Sequence, residues 1–335
     1  MAEILILAPK QAVSQWKVAN LMAKYFREEG HSVVVDDLLK ILIPIRRTDL
    51  LIVVDAVFPY SVNRILQKRW LARRAVFSCD VEGVPLMSLG DVIRICNVYD
   101  IVPASNFSAE CIKRAGFRVD GMIYRAIDYD YYQSVDEDKV NEFINRYGEY
   151  FLYIGALHTG ARIPRKGMDI LFDAWRMFIR EREKCKLIVV TNHHPSEFNL
   201  KVPDNVIIEK FGGFNEEDLK ALYKGSLGLV FPSRCEGFGL PPLEAMALGV
   251  PLIVSDAPAH NEFAIGIKLP AERIYEYMTW WGINQIMHEV DSYHLACALE
   301  TVYCECYSKS MISLAKAKAR EFDYKTLYRE FEKFL

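Results

Sequence analysis

At 335 residues the chain is long enough for two domains with full hydrophobic cores. Half of its residues are hydrophobic (51%) and 25% are charged, which excludes a disordered chain, and a formal net charge of −3 argues against a general nucleic-acid binder. No apolar run approaches the ~18 residues of a membrane-spanning helix. Residues 1–9 lack the basic start of a signal peptide, so they read as a first strand in a cytoplasmic protein.

In chain order, residues 3–7 form strand one. Ser14 caps a helix over about 15–29 that Gly30 closes, and 31–35 return as strand two. The loop between them, Ala8-Pro9-Lys10-Gln11-Ala12, has no GxGxxG, which disfavours a dinucleotide-binding dehydrogenase. Residues 50–54 and 75–78 are further buried strands. Between them Arg64, Lys68, Arg69, Arg73 and Arg74 interleave with Ile65, Leu66, Trp70 and Leu71 at helical spacing. Such a helix either packs its apolar stripe on a sheet or lies peripherally on an anionic membrane. Residues 130–148 are polar and make a junction.

A second series of strands begins at 149–155. Its first loop runs to Arg165 and is followed by Lys166, Gly167 and a helix with Leu171, Ala174, Trp175 and Phe178 inward. Strands are expected at 186–190 and 206–208. His193 and His194 read as a turn, because a metal would need a third ligand. Phe211, Gly213 and Phe214 then precede a helix over about 216–223. Residues 271–289, with Trp280 and Trp281, read as a remodelled segment, and 291–307 and 310–335 as helices. The eight cysteines (Cys79, Cys96, Cys111, Cys185, Cys235, Cys297, Cys304, Cys306) include no CxxC pair and read as reduced thiols, with Cys304 and Cys306 in a helical pattern. No metal and no cofactor are expected.

The most informative stretch is 227–256. An apolar strand ends at Pro232, and a loop follows with Gly237 and Gly239 on either side of Phe238. Pro241 and Pro242 suit a helix start, residues 243–248 a short helix, Gly249 its cap and 251–254 a returning strand. Loop amides and the positive helix end would converge at a strand's carboxyl edge, where α/β folds bind anions. Glu236 is then a loop carboxylate and Glu244 sits in the first helical turn, complementing the helix dipole or binding a ligand.

Glu236-Gly-Phe-Gly-Leu-Pro-Pro-Leu-Glu244, with its flanks, resembles the E-x7-E motif of retaining GT-B glycosyltransferases of family 4. The resemblance implies an α/β fold of two doubly wound Rossmann-like domains facing across a cleft. An acceptor-side domain would span 1–148 and a nucleotide-sugar domain 149–319, with a helix at about 320–335 packing back on the first. It implies that Glu236 lies against the donor sugar, that Glu244 holds the ribose, and that Gly237, Phe238, Gly239 and Leu240 bind sugar and phosphate. Pro164-Arg165-Lys166-Gly167-Met168 matches the family's donor-phosphate site. A fixed Lys166 would stabilise the charge developing on a leaving diphosphate, with Arg165 or Arg162 as its partner. The segment with Phe211, Gly213 and Phe214 would line the base, with Phe211 and Phe214 either flanking it or packing under the next helix.

On the acceptor side the family's histidine position falls on Cys79, so no catalytic histidine carries over. Asp80, Glu82, Lys10 and Gln11 remain candidates. The implied activity is metal-independent transfer of a hexose from a UDP- or GDP-linked sugar to a hydroxyl of a glycan, glycolipid or glycoprotein, with retention by front-face displacement. The alternatives are a non-catalytic nucleotide-sugar-binding partner subunit and a GT-B epimerase or phosphorylase.

Overall fold

The computed structural model describes residues 1–40, 47–157 and 164–335. Arg162, one of the expected phosphate ligands, lies outside the described residues.

The chain divides into two compact units. The first comprises Met1–Asp128, Glu276–Ile286 and Phe322–Leu335, and the second Tyr129–Tyr275 and Met287–Glu321. This differs from a boundary at 148/149, because the polar stretch 129–148 clusters with the second unit.

The first unit is built on β1 (Glu3–Ala8), β2 (Ser32–Asp37), β3 (Thr48–Ala56), β4 (Ala72–Asp80) and β6 (Asp100–Pro103), with a short β5 (Gly83–Pro85) apart from that sheet. The sheet is parallel with order β2-β1-β3-β4-β6. Its central strand β3 is continuously apolar from Leu50 to Val54, and all five residues are fully buried, as a strand covered on both faces must be. Helix Val13–Glu28 packs Val18, Ala19, Met22, Ala23 and Phe26 inward at helical spacing. Its N-cap is Ala12, and Ser14 falls inside the helix rather than capping it.

The basic helix expected through Arg74 is not formed. Helix Val62–Lys68 gives way to a single 3-10 turn, and β4 begins at Ala72 in register with Thr48. Its basic side chains are used locally: Lys68 is buried against the Lys40 carbonyl, Arg69 donates to the Ala72 carbonyl at 2.8 Å, and Arg74 meets Asp100 at 2.9 Å. The stretch therefore does not carry one continuous amphipathic helix. Among the described residues no helix is long and apolar enough to cross a membrane.

The second unit carries β7 (Tyr150–Ile154), β8 (Lys186–Thr191), β9 (Val206–Lys210), β10 (Gly228–Phe231), β11 (Leu252–Ser255) and β12 (Ile267–Leu269). They form a parallel sheet of order β12-β11-β10-β7-β8-β9. Helix Met168–Phe178 buries Leu171, Phe172, Ala174, Trp175 and Phe178 on this sheet, and the Trp175 indole N–H donates to the Asp204 carbonyl at 3.2 Å.

The remodelled segment is a hairpin of β13 (Ala271–Met278) and β14 (Ile283–Val290), and Ile283, Asn284 and Gln285 pair antiparallel with Pro85, Val84 and Gly83. Two helices end earlier than expected. Ser292–Tyr303 stops before Cys304 and Cys306, which are exposed, and Lys309–Arg320 stops before Phe322. The last residues then return to the first unit, where Ile127 and Asp323 form a parallel bridge.

Candidate functional site

In the second unit two loops cross at the carboxyl edge of the sheet. One follows β7 and carries Arg165, Lys166 and Gly167; the other follows β10 and carries residues 232–239. The Arg234 amide donates to the Arg165 carbonyl at 2.8 Å and stitches them together. Gly167 makes the crossing possible. It has φ of 69°, and a Cβ there would lie 2.0 Å from the Pro232 carbonyl oxygen. Only glycine fits both constraints.

Glu236 is the centre of this crossing. Its side chain is only 8% exposed, and Lys166 Nζ pairs with one carboxylate oxygen while Arg165 Nη1 lies 3.3 Å from the other. Ser233 Oγ donates at 2.5 Å, and Arg165 also donates to the Cys235 carbonyl at 2.8 Å. Burial alone would raise the Glu236 carboxyl, but Lys166 and Arg165 outweigh it and hold the group at about 2. Glu236 is therefore an ionised, hydrogen-bonded carboxylate throughout the neutral range.

Helix Leu240–Leu248 starts one residue before the double proline, with Gly239 as N-cap at φ 105° and Gly249 closing it at φ 69°. Glu244 consequently falls in the second turn rather than the first, so dipole complementation does not account for it. It is buried and accepts from Tyr223 Oη at 2.9 Å. Phe238 is buried and stacks on Phe263 with ring centroids 4.6 Å apart. Phe211 and Gly213 follow β9, and Phe214 packs edge-on against Phe143 at 5.7 Å. Lys166, Arg165, Gly167, Glu236 and loop 237–240 thus converge, whereas Phe211, Gly213 and Phe214 belong to a separate turn of the same unit.

Two side chains that sequence reasoning passed over complete the site. Arg234 is buried and makes a two-pronged contact with Asp169, both bonds 2.8 Å, with further bonds to the Pro164 carbonyl at 2.7 Å and Glu289 at 3.1 Å. It holds the start of the glycine loop to the helix that carries Asp169. His260 is fully buried, with Nδ1 3.2 Å from the Ser255 carbonyl oxygen and its ring 5.6 Å from that of Phe231. Arg234 stands inside the glycine-loop stretch, but no local pattern joins it to Asp169, 65 residues away.

The expected acceptor-side residues all lie in the first unit. Lys10 and Gln11 occupy the exposed turn after β1, with the Lys10 amide donating to Asp37 at 3.2 Å. Asp80 ends β4 and lies 3.8 Å from Arg125, which is buried and donates to Ser78 Oγ at 2.7 Å. Glu82 follows, half-buried. Cys79 points into the core, where burial raises its thiol far above the usual range, so it is an inert side chain at physiological pH. Asp55, at the end of β3, was not singled out by its sequence context. It is buried with its carboxyl raised to about 7, chiefly by burial, although its own oxygen accepts from the Ala56 amide at 2.9 Å.

Residues 148–270 match the family described as glycosyl transferases group 1. An uncharacterised glycosyltransferase of Sulfolobus islandicus rod-shaped virus 1 is 22% identical over 94% of this chain and 95% of its own. The O-antigen chain mannosyltransferase RfbU of Salmonella typhimurium is 48% identical over 143 residues, 38% of this chain and 39% of that protein. Among solved structures, HepE of Anabaena in complex with UDP-glucose superposes with a TM-score of 0.75 at 15% identity, covering 99% of both chains. The group 1 glycosyltransferase match is thus carried by residues 148–270, and the fold of the chain is GT-B.

Proposed function

We propose that the chain transfers a hexose from a UDP- or GDP-linked sugar to a hydroxyl of a glycan, glycolipid or glycoprotein, with retention of anomeric configuration. The observation that carries this reading is the buried Glu236 carboxylate held by Lys166 and Arg165 beneath a glycine loop, with buried Glu244 eight residues on. A diphosphate entering here competes with Glu236 for the two cations. Lys166 then faces the oxygen on which charge develops as the sugar leaves, and a fixed cation in a water-poor site is worth most at that moment. Glu236 stays ionised and accepts hydrogen bonds from the hydroxyls of the bound sugar, which fixes the ring over the loop amides. Glu244, oriented by Tyr223, accepts from the ribose hydroxyls.

In front-face displacement the incoming hydroxyl attacks on the side from which the diphosphate departs, and the departing phosphate oxygen takes its proton. No protein nucleophile is then required. The names of the relatives support a hexosyl donor: RfbU is a mannosyltransferase, and HepE was captured with UDP-glucose. Lys166 and Arg165 supply the positive charge that the diphosphate needs, so activity is expected to persist in the presence of a chelator.

The test is product analysis with UDP-glucose and GDP-mannose against a panel of glycan and lipid-linked acceptors. An α-linked product from an α-linked donor supports the reading. An inverted product overturns retention, while free epimerised sugar or sugar phosphate would replace transfer by one of the related GT-B reactions.

A further inference from the structure

His260 presents a problem that its packing does not solve. The ring is fully buried, and Nδ1 lies 3.2 Å from the Ser255 carbonyl oxygen, an acceptor, so Nδ1 carries the proton. Burial pushes the imidazole down to about 4, although Glu236 acts in the opposite direction. Near pH 7 the ring is therefore neutral and Nε2 is a bare lone pair. That atom is buried and has no hydrogen-bond partner among the described residues. An orphaned buried acceptor is uncommon because its lost hydration is not replaced.

The orphaned atom faces the glycine loop. A Cβ built on Gly239 would lie 3.3 Å from His260 Nε2 and 3.9 Å from Glu236 Cγ, so the histidine and the glutamate flank the same backbone position. The neighbouring hydroxyls are committed elsewhere: Ser255 Oγ bonds the Ser233 carbonyl and Ser233 Oγ bonds Glu236. Lys166 is also held by Glu236, with Nζ 5.3 Å from the Phe231 ring. Pro241 and Pro242 contribute no N–H. The backbone beside Nε2 is that of Gly239, which at φ 105° sits in a region that other residues rarely enter.

We propose that His260 is a positioning residue for the glycine loop: when a donor diphosphate is bound, Nε2 accepts a hydrogen bond from the backbone N–H of Gly239, leaving the other loop amides to the ligand, and locks the loop against it. This rests on the nucleotide-sugar reading above. A diphosphate draws Lys166 and Arg165 away from Glu236, which loosens the crossing that sets the loop in the unliganded protein. The loop then settles in a second arrangement, in which the acceptor is satisfied. Binding favours that arrangement because only there is the deficit at Nε2 removed.

The test compares wild type, His260→Phe and His260→Gln by urea unfolding without ligand and by calorimetric titration with UDP-glucose and GDP-mannose. Phenylalanine fills the space without an acceptor, whereas glutamine can place its amide oxygen where Nε2 stood. His260→Phe is expected to be at least as stable as wild type, yet to bind the donor about tenfold more weakly, the worth of one hydrogen bond. His260→Gln should recover most of that affinity.

Equal donor affinity in His260→Phe overturns the proposal, and so does a parallel loss of stability and affinity that glutamine fails to rescue. Imidazole nitrogen NMR on the wild-type protein tests the same claim without a substitution. The Nε2 signal should move from that of a free lone pair to that of a hydrogen-bonded one on donor addition, and an unmoved signal contradicts it. If wild type binds neither donor, the nucleotide-sugar reading fails and this inference falls with it.

Discussion

Both units end their parallel sheets in a carboxyl edge with a buried carboxylate, and the two edges handle that charge in opposite ways. In the second unit Glu236 is surrounded by Lys166, Arg165 and Ser233, and its carboxyl is held down at about 2. In the first unit Asp55 is buried at the end of β3 with its carboxyl raised to about 7, Asp80 adding to the effect of burial and Arg64 only partly offsetting it. The same architecture therefore yields a pre-set anion on one side and a group that holds a proton near neutrality on the other. A site for a nucleotide diphosphate needs fixed positive charge, and in this chain that charge is gathered around Glu236.

The largest effect should come from removing that charge. Lys166→Ala is expected to lower the transfer rate by about 10²–10³-fold, the usual consequence of losing one group that stabilises developing charge. Steady-state rates with saturating donor would show it, and a loss below threefold would separate Lys166 from the chemistry. Next is the loop crossing. Gly167→Ala places a Cβ against the Pro232 carbonyl at a positive φ, and should cost about 1–3 kcal/mol of stability. A lower urea midpoint at unchanged slope is the sign to look for.

The pH dependence of stability sharpens the contrast, since the two carboxyls act with opposite sign. Glu236 has its folded value below the usual 4.5, so its contribution is complete above that pH and is lost as pH falls toward about 2. Asp55 has its folded value above the usual 3.8, so the folded state holds the extra proton. Stability from this group is present at low pH and is lost as pH rises toward about 7. Asp55→Asn should therefore flatten the decline between about pH 4 and 7, and unfolding curves across that window that match wild type would contradict the assignment. The smallest effect is expected at Glu244. Tyr223→Phe removes its buried hydrogen bond and should cost about 1 kcal/mol, with donor affinity falling alongside stability in calorimetry.

How much of this was legible in the sequence follows the same division. The Glu236–Glu244 stretch could be read because its parts are local: glycines, prolines and carboxylates within nine residues dictate a loop and a helix start by themselves. Even there the helix begins at Leu240, because Gly239 serves as N-cap, and that shift moves Glu244 into the second turn. The basic run ending at Arg74 satisfied a helical period, yet the pairing of Ala72 with Thr48 turned its end into a strand. A local period carries no information about that partner. Arg234 with Asp169 and His260 beside Gly239 are contacts across 65 and 21 residues. Nothing in the spacing of either pair announces them. In the first unit, Asp55 lies in an apolar run that looks like any buried strand, and only the fold shows that it ends at a sheet edge beside Asp80.

The central claim is that the second unit holds a nucleotide-sugar donor through Lys166. The most direct measurement is thermal unfolding of wild type, Lys166→Ala and Asp80→Asn with UDP- and GDP-sugars. Donor at about 100 times its dissociation constant should add about 2.7 kcal/mol of stability. The account predicts a rise in melting temperature for wild type and Asp80→Asn that is abolished in Lys166→Ala. A rise that survives in Lys166→Ala, or that disappears in Asp80→Asn, would contradict it.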